Sequence, residues 1–209
     1  MDGTITDLRN HGYNNIIVIN DGSIDGTGKT ARSNKAIVIS HPINLGQGSA
    51  IQTGLEYALL SGAGIIVTFD ADGQHMASDI ATLLKPIISG EADVVLGSRF
   101  LNKKGNTPWT KRLVLKSGAF ILFLMYGILL TDTHNGLRAF TAGAAAKMKL
   151  ESHGMEHASE IIEKIKLEKI PYLEVPVTIK YTSYSIKKGQ RISNSLNILF
   201  KMLARWFLR

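Results

Sequence analysis

The chain has 209 residues, 44% of them hydrophobic, with a formal charge of +7 and no cysteine. Such a chain is long and apolar enough for one large domain with its own core, and it excludes a disulfide framework and any thiolate metal site. Its opening MDGTITDLRNHG has no apolar stretch of the secretory kind, so a cytoplasmic setting is expected.

Residues 1–13 read as the end of a helix. Short runs rich in Ile and Val then predict strands at 16–19, 36–39, 65–69 and 94–96, each bounded by Gly, Asn, Asp or Ser. Helical patterns lie between them, at 48–60 and 78–89. This alternation predicts an α/β domain with a largely parallel, twisted sheet covered by helices. Ligands of such sheets gather beyond the carboxyl ends of the strands. Three of the runs end in polar groups suited to that place: Asn20, Asp21, Gly22 and Ser23; Asp70 and Asp72; Gly97, Ser98 and Arg99. Residues 117–130, SGAFILFLMYGILL, carry no charge but fall short of the roughly 20 residues that span a bilayer, which predicts a buried or interfacial helix.

Seven of the 24 lysines and arginines lie beyond residue 174, where there is no Asp or Glu, so the rest of the chain has as many cations as its 17 acids. Within the stretch LNILFKMLARWFLR, Lys201, Arg205 and Arg209 recur every four residues opposite Leu and Phe. The pattern fits a basic amphipathic helix in a membrane interface, and equally one packed on its own domain or on a second subunit. The expected organisation is a catalytic domain over 1–180 and a basic tail over 181–209.

FDADGQH, residues 69–75, sets two carboxylates one residue apart at a strand end. Asp70 and Asp72 could approach one hard divalent cation, or one could take the cation and the other a ribose hydroxyl. Mg²⁺ and Mn²⁺ favour such oxygen donors and share their shells with substrate phosphates. A haloacid dehalogenase-type phosphatase is the competing reading, but in Asp70-Ala71-Asp72-Gly73 the Thr of its D-x-D-G-T signature is replaced by Gln74. No dinucleotide or P-loop glycine pattern is present, and the Gly46 and Gly48 pair signals only a close backbone approach.

Five motifs in order resemble family 2 glycosyltransferases of the GT-A fold, nearest to the polyprenyl-phosphate branch typified by dolichyl-phosphate mannose synthase. They are IIVINDGSIDGTGKTA at 16–31, NLGQGSAIQTGLEYA at 44–58, FDADGQH at 69–75, DVVLGSRF at 93–100 and DTHNGLRAF at 132–140. The resemblance implies transfer of a sugar from a nucleotide diphosphate sugar to a membrane polyprenyl phosphate, with inversion and with Mg²⁺ or Mn²⁺. It implies that Asp21, with Gly22 and Ser23, faces the nucleotide, that Asp70 lies near ribose and metal, and that Asp72 ligates the metal with Gln74 as a further ligand. Arg99, Arg112 and Arg138 match basic positions around the donor and acceptor phosphates, a task suited to the guanidinium fork. Asp132 and Glu160 are candidate bases should the acceptor be a hydroxyl. His134, His153 and His157 have no zinc spacing and are expected to be structural or solvent-facing.

The implied place of action is the cytoplasmic face of a membrane, held there peripherally by the tail or by a membrane-protein partner; a homo-oligomer stays open, and nucleic acid is not an expected partner. The likeness departs at its start. Members of the family open with a strand upstream of the helix that residues 1–13 match, so the reading expects a sheet without that strand, leaving apolar faces and backbone groups exposed. A shortened chain, an impaired form and completion by another chain all fit, and with them a nucleotide-binding domain of the same fold that supports an active partner.

Overall fold

The computed structural model describes residues 1–101 and 109–180, the side chains of 109–115 excepted. The described residues form seven helices and six strands: α1 (Asp2–Asn10), β1 (Ile17–Asp21), α2 (Thr27–Ser33), β2 (Ile37–His41), α3 (Gln47–Leu60), β3 (Ile65–Thr68), a single 3₁₀ turn (Ala77–Asp79), α4 (Ile80–Ile88), β4 (Val94–Ser98), α5 (Trp109–Tyr126), β5 (Arg138–Thr141), α6 (Ala142–Lys147), α7 (His157–Leu167) and β6 (Tyr172–Pro176). The four strands expected from apolar runs are present within two residues of their predicted bounds.

The sheet differs from a parallel one. β1 and β2 pair in parallel from Ile17↔Ile37 to Asp21↔His41, and β4 and β6 are also parallel. Between β3 and β4, however, lies β5, antiparallel to both, with Val67 and Val95 each opposite Ala139. Its sequence RAFT is too short and too polar at its start to show as a strand; it is stabilised by neighbours on both sides.

Side-chain alternation divides the core between two faces. Val94, Leu96 and Phe140 pack with Leu55, Leu122, Ile161 and Ile165 under α3, α5 and α7. Val95, Leu137 and Ala139 point the other way, onto Leu8 of α1 and Ile80, Leu83 and Ile87 of α4. A third cluster, Ile5, Val18, Ala31 and Ala36, joins α1 and α2 to the β1–β2 pair.

The strands form two sheets, β1–β2 and β3–β5–β4–β6. Among the described residues no strand pairs with the outer edge of β1 or of β3. Ile65 is 39% exposed, whereas all of β4 is buried. On α5, Phe120 and Leu124 are exposed, and the apolar run of 117–130 is helical only as far as Tyr126. No helix among the described residues is long and apolar enough to cross a membrane. The amphipathic tail, 181–209, lies outside the described residues.

Candidate functional site

The antiparallel β5 makes the site. Because β3 and β4 both oppose β5, they run in the same direction and end at one edge, where the loop 132–137 enters β5. Asp70 and Asp72 follow β3, Arg99 follows β4, and the DTHNGLR motif arrives between them.

Asp70 is closely held. Its Oδ1 accepts a hydrogen bond from Nε2 of Gln47 at 3.0 Å, and its Oδ2 lies 3.3 Å from Nε2 of His75. The carboxylate rests on Gly136, where a Cβ would stand 2.7 Å from Asp70 Cγ. Burial pushes its pKa up, but the His75 hydrogen bond and the charges of His75, Arg138 and His157 outweigh that and hold it below the ordinary 3.8. Asp72 is exposed and turned onto its own loop: Oδ1 accepts from the Gln74 backbone N–H at 2.9 Å, and Oδ2 meets the Gln74 side-chain amide.

Among the described residues no three His, Cys, Asp or Glu side chains form a ready metal cluster. The donors that follow β3 in sequence, the carboxylates of Asp70 and Asp72 and the amide oxygen of Gln74, are all hard oxygens. That set fits Mg²⁺ or Mn²⁺, ions that leave part of their shell to water and phosphate oxygens.

Asp21 ends β1 and braces the entry to α3. Its Oδ1 accepts from Leu45 N and its Oδ2 from Gly46 N, each at 2.8 Å, while Nδ1 of His41 lies 2.8 Å from Oδ1 and Nε2 of His41 reaches Thr53 at 3.0 Å. Burial opposes ionisation, but His41 and the two amides prevail and lower the Asp21 pKa. A nucleotide base would have to share these oxygens. Gly22 is needed at φ +70°, with the carbonyl carbon of Ile43 2.5 Å from where its Cβ would be, and Ser23 is exposed with its N–H on Asn20 Oδ1 at 3.2 Å. The close approach signalled by Gly46 and Gly48 is to protein backbone: their missing Cβ atoms would run into His153 and Ser152, and Gly48 N donates to His153 O at 2.7 Å.

The other site candidates divide by burial. Arg99 donates from Nε to Asp132 Oδ2 at 2.6 Å and from its backbone N–H to the same oxygen at 3.1 Å. The Asp132 side chain is fully buried. Arg138 is also buried, with Nε donating to Asn135 O at 2.9 Å and Nη2 to Thr133 O at 3.2 Å. Burial lowers its pKa to about 10 against the opposing pull of Asp70 and Asp132. It therefore braces the loop beneath Asp70 from below. Glu160 is buried in α7, with Oε1 accepting from Glu151 N at 2.9 Å and Oε2 from Ser152 N at 2.8 Å, so it holds the loop that touches Gly46 and Gly48. Arg112 lies on α5, and its side chain is outside the described residues.

His134 has its Nδ1 on Thr133 Oγ1 at 2.7 Å, and His157 is buried with Nδ1 on Gly154 O at 2.8 Å. Gln47, His75 and Gly136, the partners of Asp70, went unassigned in the sequence although each stands inside one of the five motifs. Glu174 left no sequence signal; it is a lone acid in β6.

Comparison with known proteins bears on the family and the fold. Residues 2–148 match the model of glycosyl transferase family 2. The chain is 40% identical over 204 residues to an uncharacterized protein of Methanocaldococcus jannaschii, covering 96% of this chain and 84% of that one. It is 38% identical over 220 residues to the UDP-N-acetylglucosamine–dolichyl-phosphate N-acetylglucosaminyltransferase of Methanococcus voltae, covering 95% and 88%. It is 27% identical over 205 residues to the polyprenol monophosphomannose synthase of Mycolicibacterium smegmatis, covering 93% and 76%. Among solved structures, glucosyl-3-phosphoglycerate synthase of Mycobacterium tuberculosis, crystallised with Mn²⁺, UDP and glucosyl-3-phosphoglycerate, superposes with a TM-score of 0.70 at 16% identity, over 98% of this chain and 74% of that one. With more than two-thirds of its length matched, the chain belongs to glycosyl transferase family 2 and has the GT-A fold.

Proposed function

We propose that this protein transfers a sugar from a nucleotide diphosphate sugar to a polyprenyl phosphate at a membrane surface, with inversion at the anomeric carbon. The observation that carries the reading is that Asp70 and Asp72, which follow β3, and Arg99, which follows β4, lie at the same edge of the sheet, residue types suited to a cation and to phosphate. The dolichyl-phosphate and polyprenol acceptors in the names of the relatives from Methanococcus voltae and Mycolicibacterium smegmatis support the acceptor class. Exposed Phe120 and Leu124 and the basic tail suit work at a lipid surface.

In this mechanism Asp70, Asp72 and Gln74 would hold Mg²⁺ or Mn²⁺. When bound, such an ion would supply charge neutralisation for the departing diphosphate. Gln47, His75 and Gly136 fix the Asp70 carboxylate in place, and Arg99 pairs with phosphate oxygens. An oxygen of the lipid phosphate attacks the anomeric carbon as the bond from that carbon to the diphosphate oxygen breaks, and the nucleoside diphosphate leaves. Phosphate monoesters have a second pKa near 6, so this nucleophile needs no protein base at pH 7. The burial of both acidic candidates supports that choice over a hydroxyl acceptor: Glu160 has each oxygen on a backbone N–H, and Asp132 is taken by Arg99.

A second reading, a GT-A domain that binds nucleotide but supports an active partner, is favoured by the break between β1 and β3. Thermal melts with Mn²⁺ or Mg²⁺ and a panel of UDP, GDP and dTDP sugars test the donor site. Ligand at 100 times its Kd should add about 2.7 kcal/mol, and Asp72→Asn should abolish the metal-dependent part. Transfer to a polyprenyl phosphate by the same preparation separates the enzyme from the supporting domain. A cooperative melt that no nucleotide moves would refute both.

A further inference from the structure

A polar network that reaches the assigned residues Asp132 and Arg99 starts at Glu174, in the middle of β6. Its carboxylate accepts from the backbone N–H of Thr131 at 2.8 and 3.0 Å, from the hydroxyl of Thr131 at 3.0 Å and from the backbone N–H of Asp132 at 3.1 Å. Thr131 Oγ1 in turn shares a hydrogen bond of 2.6 Å with Ser98 Oγ, and that oxygen accepts from Phe100 N at 3.2 Å. Asp132 then takes two hydrogen bonds from Arg99. Both routes lead from Glu174 to the end of β4.

A carboxylate whose two oxygens accept from three donors of one two-residue segment, one N–H shared between both oxygens, fixes that segment's backbone. It also sits close to a second, fully buried carboxylate, an arrangement that costs free energy and calls for a compensating role. The raised pKa of Glu174, set by burial and by Asp132 against the hydrogen bonds it accepts, records that cost.

We infer that Glu174 is a positioning residue for the transfer reaction: it holds the Thr131–Asp132 backbone so that Asp132 clamps Arg99 in the orientation that meets the donor phosphates. The inference rests on the proposed role of Arg99, and it makes β6, which carries none of the five family motifs, part of the active-site support.

The test uses the full chain with UDP-N-acetylglucosamine, Mn²⁺ and a polyprenyl phosphate in detergent. Glu174→Gln keeps shape and one acceptor oxygen. It is expected to lower kcat by about tenfold, the scale of one charge-assisted hydrogen bond, with donor KM little changed. In an Arg99→Ala background the same substitution should change kcat little, because the effect passes through Arg99. A merely structural residue would lower Tm and give the same loss in both backgrounds, which would overturn the inference. Amide hydrogen exchange decides it even if the wild-type chain transfers no sugar, the result that would fail the transferase reading by itself. In Glu174→Ala, or in Glu174→Gln if the alanine variant does not fold, the N–H groups of Thr131, Asp132 and Arg99 should all exchange faster while β5 stays protected. Unchanged protection at Arg99 would refute the positioning role whatever the activity.

Discussion

The carboxylate of Asp70 lies directly on the backbone of Gly136, its Cγ 2.7 Å from the position a Cβ would take. The glycine of the NGLRAF motif is thus present for the aspartate of the FDADGQH motif. Gly136→Ala should push Asp70 away from Gln47 and His75. The expected result is loss of metal-dependent nucleotide stabilisation in a melt, with a fall of about 1–3 kcal/mol in the stability of the free protein from overpacking. Wild-type nucleotide response in this variant would show that Asp70 need not stand where it does.

Gly48 tests the second close approach. Its N–H bonds to His153 O at 2.7 Å, and an alanine there would collide with the Ser152 carbonyl. Neither partner is a flexible side-chain end, so the α3 start and the 151–154 loop must separate. Urea unfolding should show a loss of about 1–3 kcal/mol for Gly48→Ala. Gly143, with nothing within 4 Å of its missing Cβ, is the control that should tolerate alanine.

Glu160 can be a base or a brace. Glu160→Gln leaves one backbone N–H of the 151–152 pair facing an amide nitrogen, a buried mismatch that costs about 1–3 kcal/mol. The expected outcome is a lower Tm with an unshifted pH–rate profile. Disappearance of a limb from that profile would instead identify a titrating catalytic group.

His134 makes stability depend on pH. Burial first, and then Arg138, Arg99 and His157, lower its pKa from the ordinary 6.5 to about 4, with Asp132 opposing. The unfolded chain therefore takes up the proton first on acidification. Stability is lost between pH 6.5 and pH 4, by about 3 kcal/mol for this group. His157, also lowered, acts in the same sense, while Glu174, raised above 4.5, contributes stability that is lost as pH rises. Melts from pH 7 to pH 4 should show a shallower decline for His134→Asn than for wild type.

Much of this was legible in the chain itself. Four strands announced themselves because each is a short run rich in Ile and Val between turn-forming residues, and the order of five motifs carried the family. What remained hidden had physical causes. β5 begins with a charged residue, Arg138, which is buried because loop carbonyls accept its hydrogen bonds. A pattern of hydrophobicity cannot register that. The expected contact of Asp21 with a nucleotide base meets a carboxylate already accepting from Leu45 and Gly46, backbone groups 24 and 25 residues away.

The sequence by itself determined the residue types at the site, because carboxylates, arginines and close-packing glycines have chemistry that no neighbour needs to supply. Only the tertiary structure decided which of them act as a set. Reversal of one four-residue strand, β5, points β3 and β4 the same way and brings residues 70, 99 and 132–138 to a single edge. Strand direction depends on pairing between segments tens of residues apart, so it resides in the ladder of hydrogen bonds and in no local stretch of the chain.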